Sequence, residues 1–366
     1  MTNSMPVSAP AVASSPTAAE LWPNPVGTDG FEFVEYSSTD PQALAELFEG
    51  LGFVAVAQHR SKNVTLYRQG DINFILNNEA DSQAAVFSAV HGPSANAFAI
   101  RVKDVSAAVK TLTARGAVVL PSGAGPMELN IPAIEGIGGS LLYLVDRYGA
   151  DSIYDIDFKP IAGVDQRPVG VGLTYIDHLT HNVERGHMDL WSNFYERFFD
   201  FREIRYFKIE GASTGLHSRA MTSACGKIRI PINESADDKS QIAEYLRDHK
   251  GEGIQHIALG TDDIYQAVVA LRAKGVSFMD TLDAYYDQLD QRLPGHGENI
   301  ERLRELKILV DGGTDEGILL QIFSELVIGP LFFEIIQRKG NQGFGEGNFQ
   351  ALFESIELDQ KRRGVV

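Results

Sequence analysis

The chain has a single cysteine, Cys225, in 366 residues. No disulfide can form within it, and a reducing cytosol is the expected compartment. Long apolar runs are missing too, so a membrane-spanning helix is not expected. Blocks of positive charge are also absent. The 49 Asp and Glu against 32 Lys and Arg leave a formal charge of -17, which repels phosphate backbones and anionic lipid. Nucleic acid and membrane are therefore not expected as partners. The opening stretch MTNSMPVSAPAVASSPTAAE lacks both the basic start and the Leu/Val-rich segment of an export signal, and residues 1–23 read as a flexible tail.

What is present is a repeated pattern. DPQALAELFEGL, residues 40–51, sets Leu44, Leu47, Phe48 and Leu51 on one helical face behind a capping Asp40 and Pro41. The alternating runs that follow, GFVAVAQHRSKNVTLYRQGDINFILN, read as half-buried antiparallel strands. A second unit, NAFAIRVKDVSAAVKTLTARGAVVL, predicts a strand, a helix with Val105, Val109 and Leu112 inward, a turn at Gly116 and another strand.

IQHIALGTDDIYQAVVALRAKGVSFM repeats that unit without gaps, pairing Val105 with Ile264 and Gly116 with Gly275 at a constant offset of 159 residues. DLWSNFYERFFDFREIRYF echoes the first unit more loosely. The chain is thus a tandem duplication, punctuated by DFKPIAGVDQRPVGVG. We expect an α+β fold of two open barrels: an N-terminal domain over 24–165, a C-terminal domain over 166–347, and a closing helix and tail over 348–366.

In a duplicated fold, positions that are polar in one half and plain in the other are candidates for chemistry. His256 matches Ala97, and Glu334 matches Tyr143 when LLYLVDRYG is laid on LFFEIIQRKG. A carboxylate between Phe332, Phe333, Ile335 and Ile336 is costly to bury without a cation. In YIDHLTHNV the alternation of a strand puts His178 on one face and His181 on the other, so only one of the pair can join the other two groups. His178, His256 and Glu334 form the candidate metal triad. Two histidines and one carboxylate with open positions are the arrangement of non-haem Fe(II) oxygenases.

His181 and His187 read as core or surface residues, and His59, His91, His217, His249 and His296 as solvent-facing. GFGEGN lacks the strand, turn, helix and lysine context of a phosphate loop and reads as a hinge. Asn348 is the expected cap of an amphipathic helix carrying Phe349, Leu352, Phe353 and Ile356, placed to close the barrel as a lid.

IDHLTHNV, GEGIQHIAL, LLQIFSE, FFEIIQRKG and GFGEGNFQALFESIE resemble the signature segments of the 4-hydroxyphenylpyruvate dioxygenases, as do RSKNVTLYRQGDINFILNN and SIYDIDF. The resemblance implies a vicinal-oxygen-chelate fold of four βαβββ modules, with Fe(II) on His178, His256 and Glu334. It implies a pocket in which Ser218, Asn233, Gln241 and Gln321 hydrogen-bond the phenol end. Phe332, Phe344, Asn348 and Phe349 would enclose the ring, with Phe323 and, less securely, Gln255 beside it. Simple alternation turns Gln255 away from His256.

The partners so implied are an aromatic 2-oxo acid and O2, and a homo-oligomer, dimer or tetramer. The implied reaction is conversion of 4-hydroxyphenylpyruvate to homogentisate and CO2 in tyrosine catabolism. Phe344 and Asn233 favour it over the sister hydroxymandelate synthase. Extradiol ring cleavage and a non-enzymatic sequestering protein of the same fold are the remaining alternatives; a sequestering site has no need of three ligands confined to one half.

Overall fold

The computed structural model describes residues 20–121, 123–125, 127–210, 215–313 and 315–349. Most of the expected tail, and the expected closing helix beyond Phe349, lie outside them. The first half supplies β1 Thr28–Ser37, β2 Val54–His59, β3 Val64–Gln69, β4 Ile72–Asn77, β5 Ser94–Val102, β6 Ala133–Glu135, β7 Leu141–Val145 and β8 Phe158–Pro160. The second supplies β9 Leu173–Val183, β10 Arg202–Glu210, β11 Gly215–Thr222, β12 Arg229–Ser235, β13 Gly253–Thr261, β14 Leu309–Gly313, β15 Gly317–Phe323 and β16 Phe332–Lys339.

Each half makes one curved sheet, in the orders β6-β7-β5-β1-β4-β3-β2-β8 and β10-β11-β12-β9-β13-β16-β15-β14. The centre of each is an antiparallel pair, β1 with β5 and β9 with β13. Each central strand has a parallel neighbour on its outer side: β4 and β7 in one half, β12 and β16 in the other. The units are therefore four βαβββ modules. Three of the four module helices begin at a capping aspartate. Asp40, Asp104 and Asp263 accept from Ala43, Ala107 and Gln266 at the starts of Pro41–Gly50, Val105–Ala114 and Ile264–Ala273, each satisfying an N–H that the helix cannot.

The register carries the duplication residue by residue. Ala97 pairs with Leu141 and Ala99 with Tyr143; His256 pairs with Phe332 and Ala258 with Glu334. Ala99 also faces Phe33, and Ala258 faces His178. Phe33, Ala97 and Tyr143 thus stand where the second half has His178, His256 and Glu334. The strands expected after Gly116 and Gly275 are reduced to single bridges, Val119 with Ile134 and Phe278 with Ser324, because the chain there departs into long loops instead of continuing a ladder.

Alternation divides the burial in two. One face of each central pair joins a core shared by both halves, including Val34, Phe74 and Phe98 from the first and Leu179, Ile257 and Phe333 from the second. Phe74 and Phe333 stack across it at 5.8 Å. Each such fully buried side chain contributes roughly 2 kcal/mol. The opposite face of the first sheet is filled by Phe33, Val56, Leu66, Ala99, Tyr154 and Phe158. The corresponding face of the second sheet holds a cavity.

Candidate functional site

Three side chains meet on that face of the second sheet. His178 of β9, His256 of β13 and Glu334 of β16 lie on adjacent strands, all buried, with one ligand atom of each within 4.8 Å of the others. His178 Nε2 is 3.2 Å from Glu334 Oε2, and His256 Nε2 is 3.6 Å from the same oxygen. A solitary carboxylate at this depth costs several kcal/mol. Here it faces two imidazoles and accepts from Gln321 Nε2 at 2.8 Å on its other oxygen.

Two irregularities in the β9/β13 ladder aim the imidazoles. The pairing steps from Ala258 opposite His178 to Leu259 opposite Ile176, leaving Asp177 as the extra residue. It also steps from Ile254 opposite His181 to His256 opposite Thr180, leaving Gln255 extra. A bulge breaks strict alternation and re-aims a side chain. Asp177 Oδ1 accordingly sits 2.9 Å from His178 Nδ1, and Gln255 Oε1 sits 3.1 Å from His256 Nδ1. With each Nδ1 tied to an acceptor, each Nε2 is directed to the centre.

The donor set fits a divalent transition metal: two imidazole nitrogens and one carboxylate oxygen, each with its remote atom already hydrogen-bonded. In the chain alone, burial pulls the His178 imidazole down, but the charges and bonds of Glu334 and Asp177 outweigh it and leave its pKa raised. Burial, with the charge of His178, pushes His256 well below the usual range. Of the two imidazoles, His178 is the more readily protonated. Thr180 Oγ1 also meets His256 Nε2, at 2.9 Å.

The triad opens into a small cavity. Ser218, Asn233, Gln241, Gln255, Phe323, Phe332, Phe344 and Phe349 line it, with Thr180, Leu216 and Pro231. Ser218 and Asn233 are direct partners across β11 and β12. Gln241 opens the helix Gln241–His249, which Ser240 caps. Phe332 stacks on the His256 ring at 4.8 Å, and Phe344 meets the His178 ring edge-on at 5.7 Å.

Several expectations are corrected. Gln321 does not line the cavity. Its amide donates to Glu334 and to the Phe344 carbonyl at 3.0 Å, and its oxygen accepts from Asn348 Nδ2 at 2.9 Å, so both donor hydrogens are spent inside the chain. Asn348 is neither a wall of the cavity nor a helix cap. It sits inside a first turn, its N–H donating to the Gly345 carbonyl, while its Oδ1 accepts from Tyr285 Oη at 2.7 Å.

Gln255, expected to point away, is brought beside His256 by its bulge. GFGEGN owes its glycines to packing: Gly345 has φ +78°, and a Cβ there would collide with the Gln321 amide. His181 is a fully buried core residue whose Nε2 meets Tyr195 Oη at 2.7 Å. His249, read as solvent-facing, is buried and stacked on His91 at 4.5 Å, one ring from each half. Strand alternation does not single out Asp177; its place directly before His178 is the available signal.

This fold and this site define a member of the glyoxalase/bleomycin resistance protein/dioxygenase superfamily, whose profile matches residues 175–291. Residues 22–159 match the family described as hydroxyphenylpyruvate dioxygenase, N-terminal. A 4-hydroxyphenylpyruvate dioxygenase of Pseudomonas aeruginosa is 62% identical over 94% of this chain and 97% of its own length. Hemolysin VllY of Vibrio vulnificus is also 62% identical, over 94% and 98%. Among solved structures, a variant of 4-hydroxymandelate synthase from Streptomyces coelicolor superposes with a TM-score of 0.77 at 28% identity, covering 91% of this chain and 99% of that one. The chain belongs to the 4-hydroxyphenylpyruvate dioxygenase family. Among the described residues, no helix is long and apolar enough to cross a membrane.

Proposed function

We propose that the chain is an Fe(II)-dependent dioxygenase that converts 4-hydroxyphenylpyruvate and O2 to homogentisate and CO2. The observation that carries this reading is the buried convergence of His178, His256 and Glu334 on one wall of a cavity whose other walls are aromatic rings and neutral polar groups. His178, His256 and Glu334 would hold the metal, leaving the rest of its coordination shell to small molecules. Bound there, Fe(II) would supply positions for the carboxylate and keto oxygens of the 2-oxo acid and for O2, while the electrons that reduce O2 come from the substrate itself, through loss of CO2 and oxidation of the ring.

The chain's own residues bind and orient. Phe323, Phe332, Phe344 and Phe349 present apolar surface to the substrate ring and exclude water from it. Ser218, Asn233 and Gln241 offer hydrogen bonds to a phenol without adding charge, so a substrate lacking the hydroxyl would leave buried groups unpaired. Asp177 and Gln255 fix the two imidazoles, and Gln321 fixes the carboxylate, so the donor atoms are set before any ligand arrives. A cytosolic setting agrees with the single buried Cys225.

The structural likeness to 4-hydroxymandelate synthase supports a second reading, attack at the benzylic carbon of the same substrate. One experiment separates the two. The protein is loaded with Fe(II) without air, 4-hydroxyphenylpyruvate and then O2 are admitted, and O2 uptake is followed with chromatography of the product. Stoichiometric homogentisate is expected. A mandelate product would establish the second reading, and no uptake of O2 would overturn both.

A further inference from the structure

His178 and His256 are held differently. The Nδ1 partner of His256 is the neutral amide of Gln255, whereas that of His178 is a carboxylate. Asp177 has a fully buried side chain, and its charge is matched from the far side. Arg338 donates from Nε to Oδ2 at 2.7 Å and from an Nη to Oδ1 at 2.8 Å, a bidentate pair. Arg229 stands 3.7 Å from Oδ2.

The same two arginines reach the segment between β16 and Phe344. The other Nη of Arg338 donates to the carbonyls of Asn341 at 3.2 Å and Gly343 at 2.7 Å, and Arg229 donates to Gln342 Oε1 at 2.7 Å. The residue next along is Phe344, whose ring abuts the His178 ring. One buried ion pair therefore touches both the imidazole and the turn that presents the aromatic wall.

We propose that Asp177 is a positioning residue of the metal centre, and that its pair with Arg338 sets the orientation of the His178 ring and the placement of Phe344 together. This rests on the metal reading of His178, His256 and Glu334. An ion pair that served stability alone would not need the third contact, Oδ1 on the imidazole. That contact is available only because the bulge turns Asp177 onto the ring. A carboxylate on the remote nitrogen fixes the ring and strengthens the other nitrogen as a donor. Asp177 thus makes His178 the stronger of the two imidazole ligands.

The test uses Co(II), which reports ligand field without turnover. Its binding is titrated into the full chain and into Asp177→Asn, Arg338→Lys and His178→Ala, with absorption spectra of the bound metal and circular dichroism as the check on folding. Asp177→Asn is expected to weaken Co(II) binding by about 10- to 100-fold and to shift the bound-metal spectrum. Arg338→Lys keeps a cation but loses the bidentate fork and its reach to Asn341 and Gly343. We expect it to weaken Co(II) binding less and, after loading with Fe(II), to raise KM for 4-hydroxyphenylpyruvate more than it lowers kcat.

A folded Asp177→Asn protein with unchanged affinity and spectrum overturns the proposal. Should that variant not fold, Arg338→Lys decides, and unchanged Co(II) affinity, spectrum and KM overturn it. Equal Co(II) binding by the unaltered chain and by His178→Ala would instead overturn the metal reading, and the proposal with it.

Discussion

Gln321 Nε2 donates to Glu334 Oε1 at 2.8 Å and to the Phe344 carbonyl at 3.0 Å, so one amide joins the carboxylate of the triad to the turn that carries an aromatic wall. The space for that amide depends on a glycine. Gly345 has φ +78°, and any Cβ there would strike the Gln321 side chain.

Gly345→Ala is therefore expected to dislodge Gln321 and free Glu334. Metal affinity should fall at least tenfold, and stability by roughly 1 to 3 kcal/mol from strain at positive φ and newly unpaired buried amides. Titration with Co(II) and urea unfolding measure the two effects. Unchanged values for both would show that the Gln321 bonds are dispensable.

Thr180 Oγ1 occupies His256 Nε2 at 2.9 Å, the nitrogen assigned to the metal. The hydroxyl and a cation compete for one lone pair. Thr180→Val is expected to bind Co(II) as tightly as the unaltered chain or a few-fold more tightly. A tenfold loss would mean that the hydroxyl supports the site.

His181 gives a pH prediction. Burial pushes its imidazole down to about 3, while the unfolded chain protonates near its ordinary value of about 6.5. Below that value the unfolded state takes up a proton that the folded state refuses, so stability falls as pH drops from about 6.5 toward about 3, by roughly 2 kcal/mol at pH 5. In His181→Phe, the slope of unfolding free energy between pH 6 and pH 4.5 should lessen by about 1.4 kcal/mol per pH unit. An unaltered slope would mean that the buried imidazole is protonated in the folded chain.

Ser218 and Asn233 face each other across β11 and β12 on the polar side of the cavity. If they read the phenol, Asn233→Leu should cut the preference for 4-hydroxyphenylpyruvate over phenylpyruvate, as a ratio of kcat/KM, by about tenfold or more. A preserved ratio would place the phenol elsewhere in the cavity.

Much of this was legible in the sequence because duplication supplies its own comparison. The match of Ala97 with His256 and of Tyr143 with Glu334 reappears in the strand registers, and strand parity separated His178 from His181. What escaped is whatever breaks the regularity on which parity depends. A bulge adds one residue, and nothing in the local composition of TYIDHLT or GIQHIAL marks it, so the aim of Gln255 was misread and Asp177 went unnoticed. Gln321 and Asn348 were placed in the pocket by resemblance alone; their actual partners, Glu334 and Tyr285, depend on how β15 and the turn after β16 meet in space. The burial of His249 likewise depends on the other half, where His91 lies against it.

Phe33, Ala97 and Tyr143 give the molecule an internal blank. The first half repeats the scaffold of the second with other side chains at the three triad positions, and hydrophobic groups occupy its interior. A ligand of this chain therefore meets one barrel already filled by its own side chains and one left open around two imidazoles and a carboxylate, so the half that cannot bind shows what the scaffold is without its chemistry.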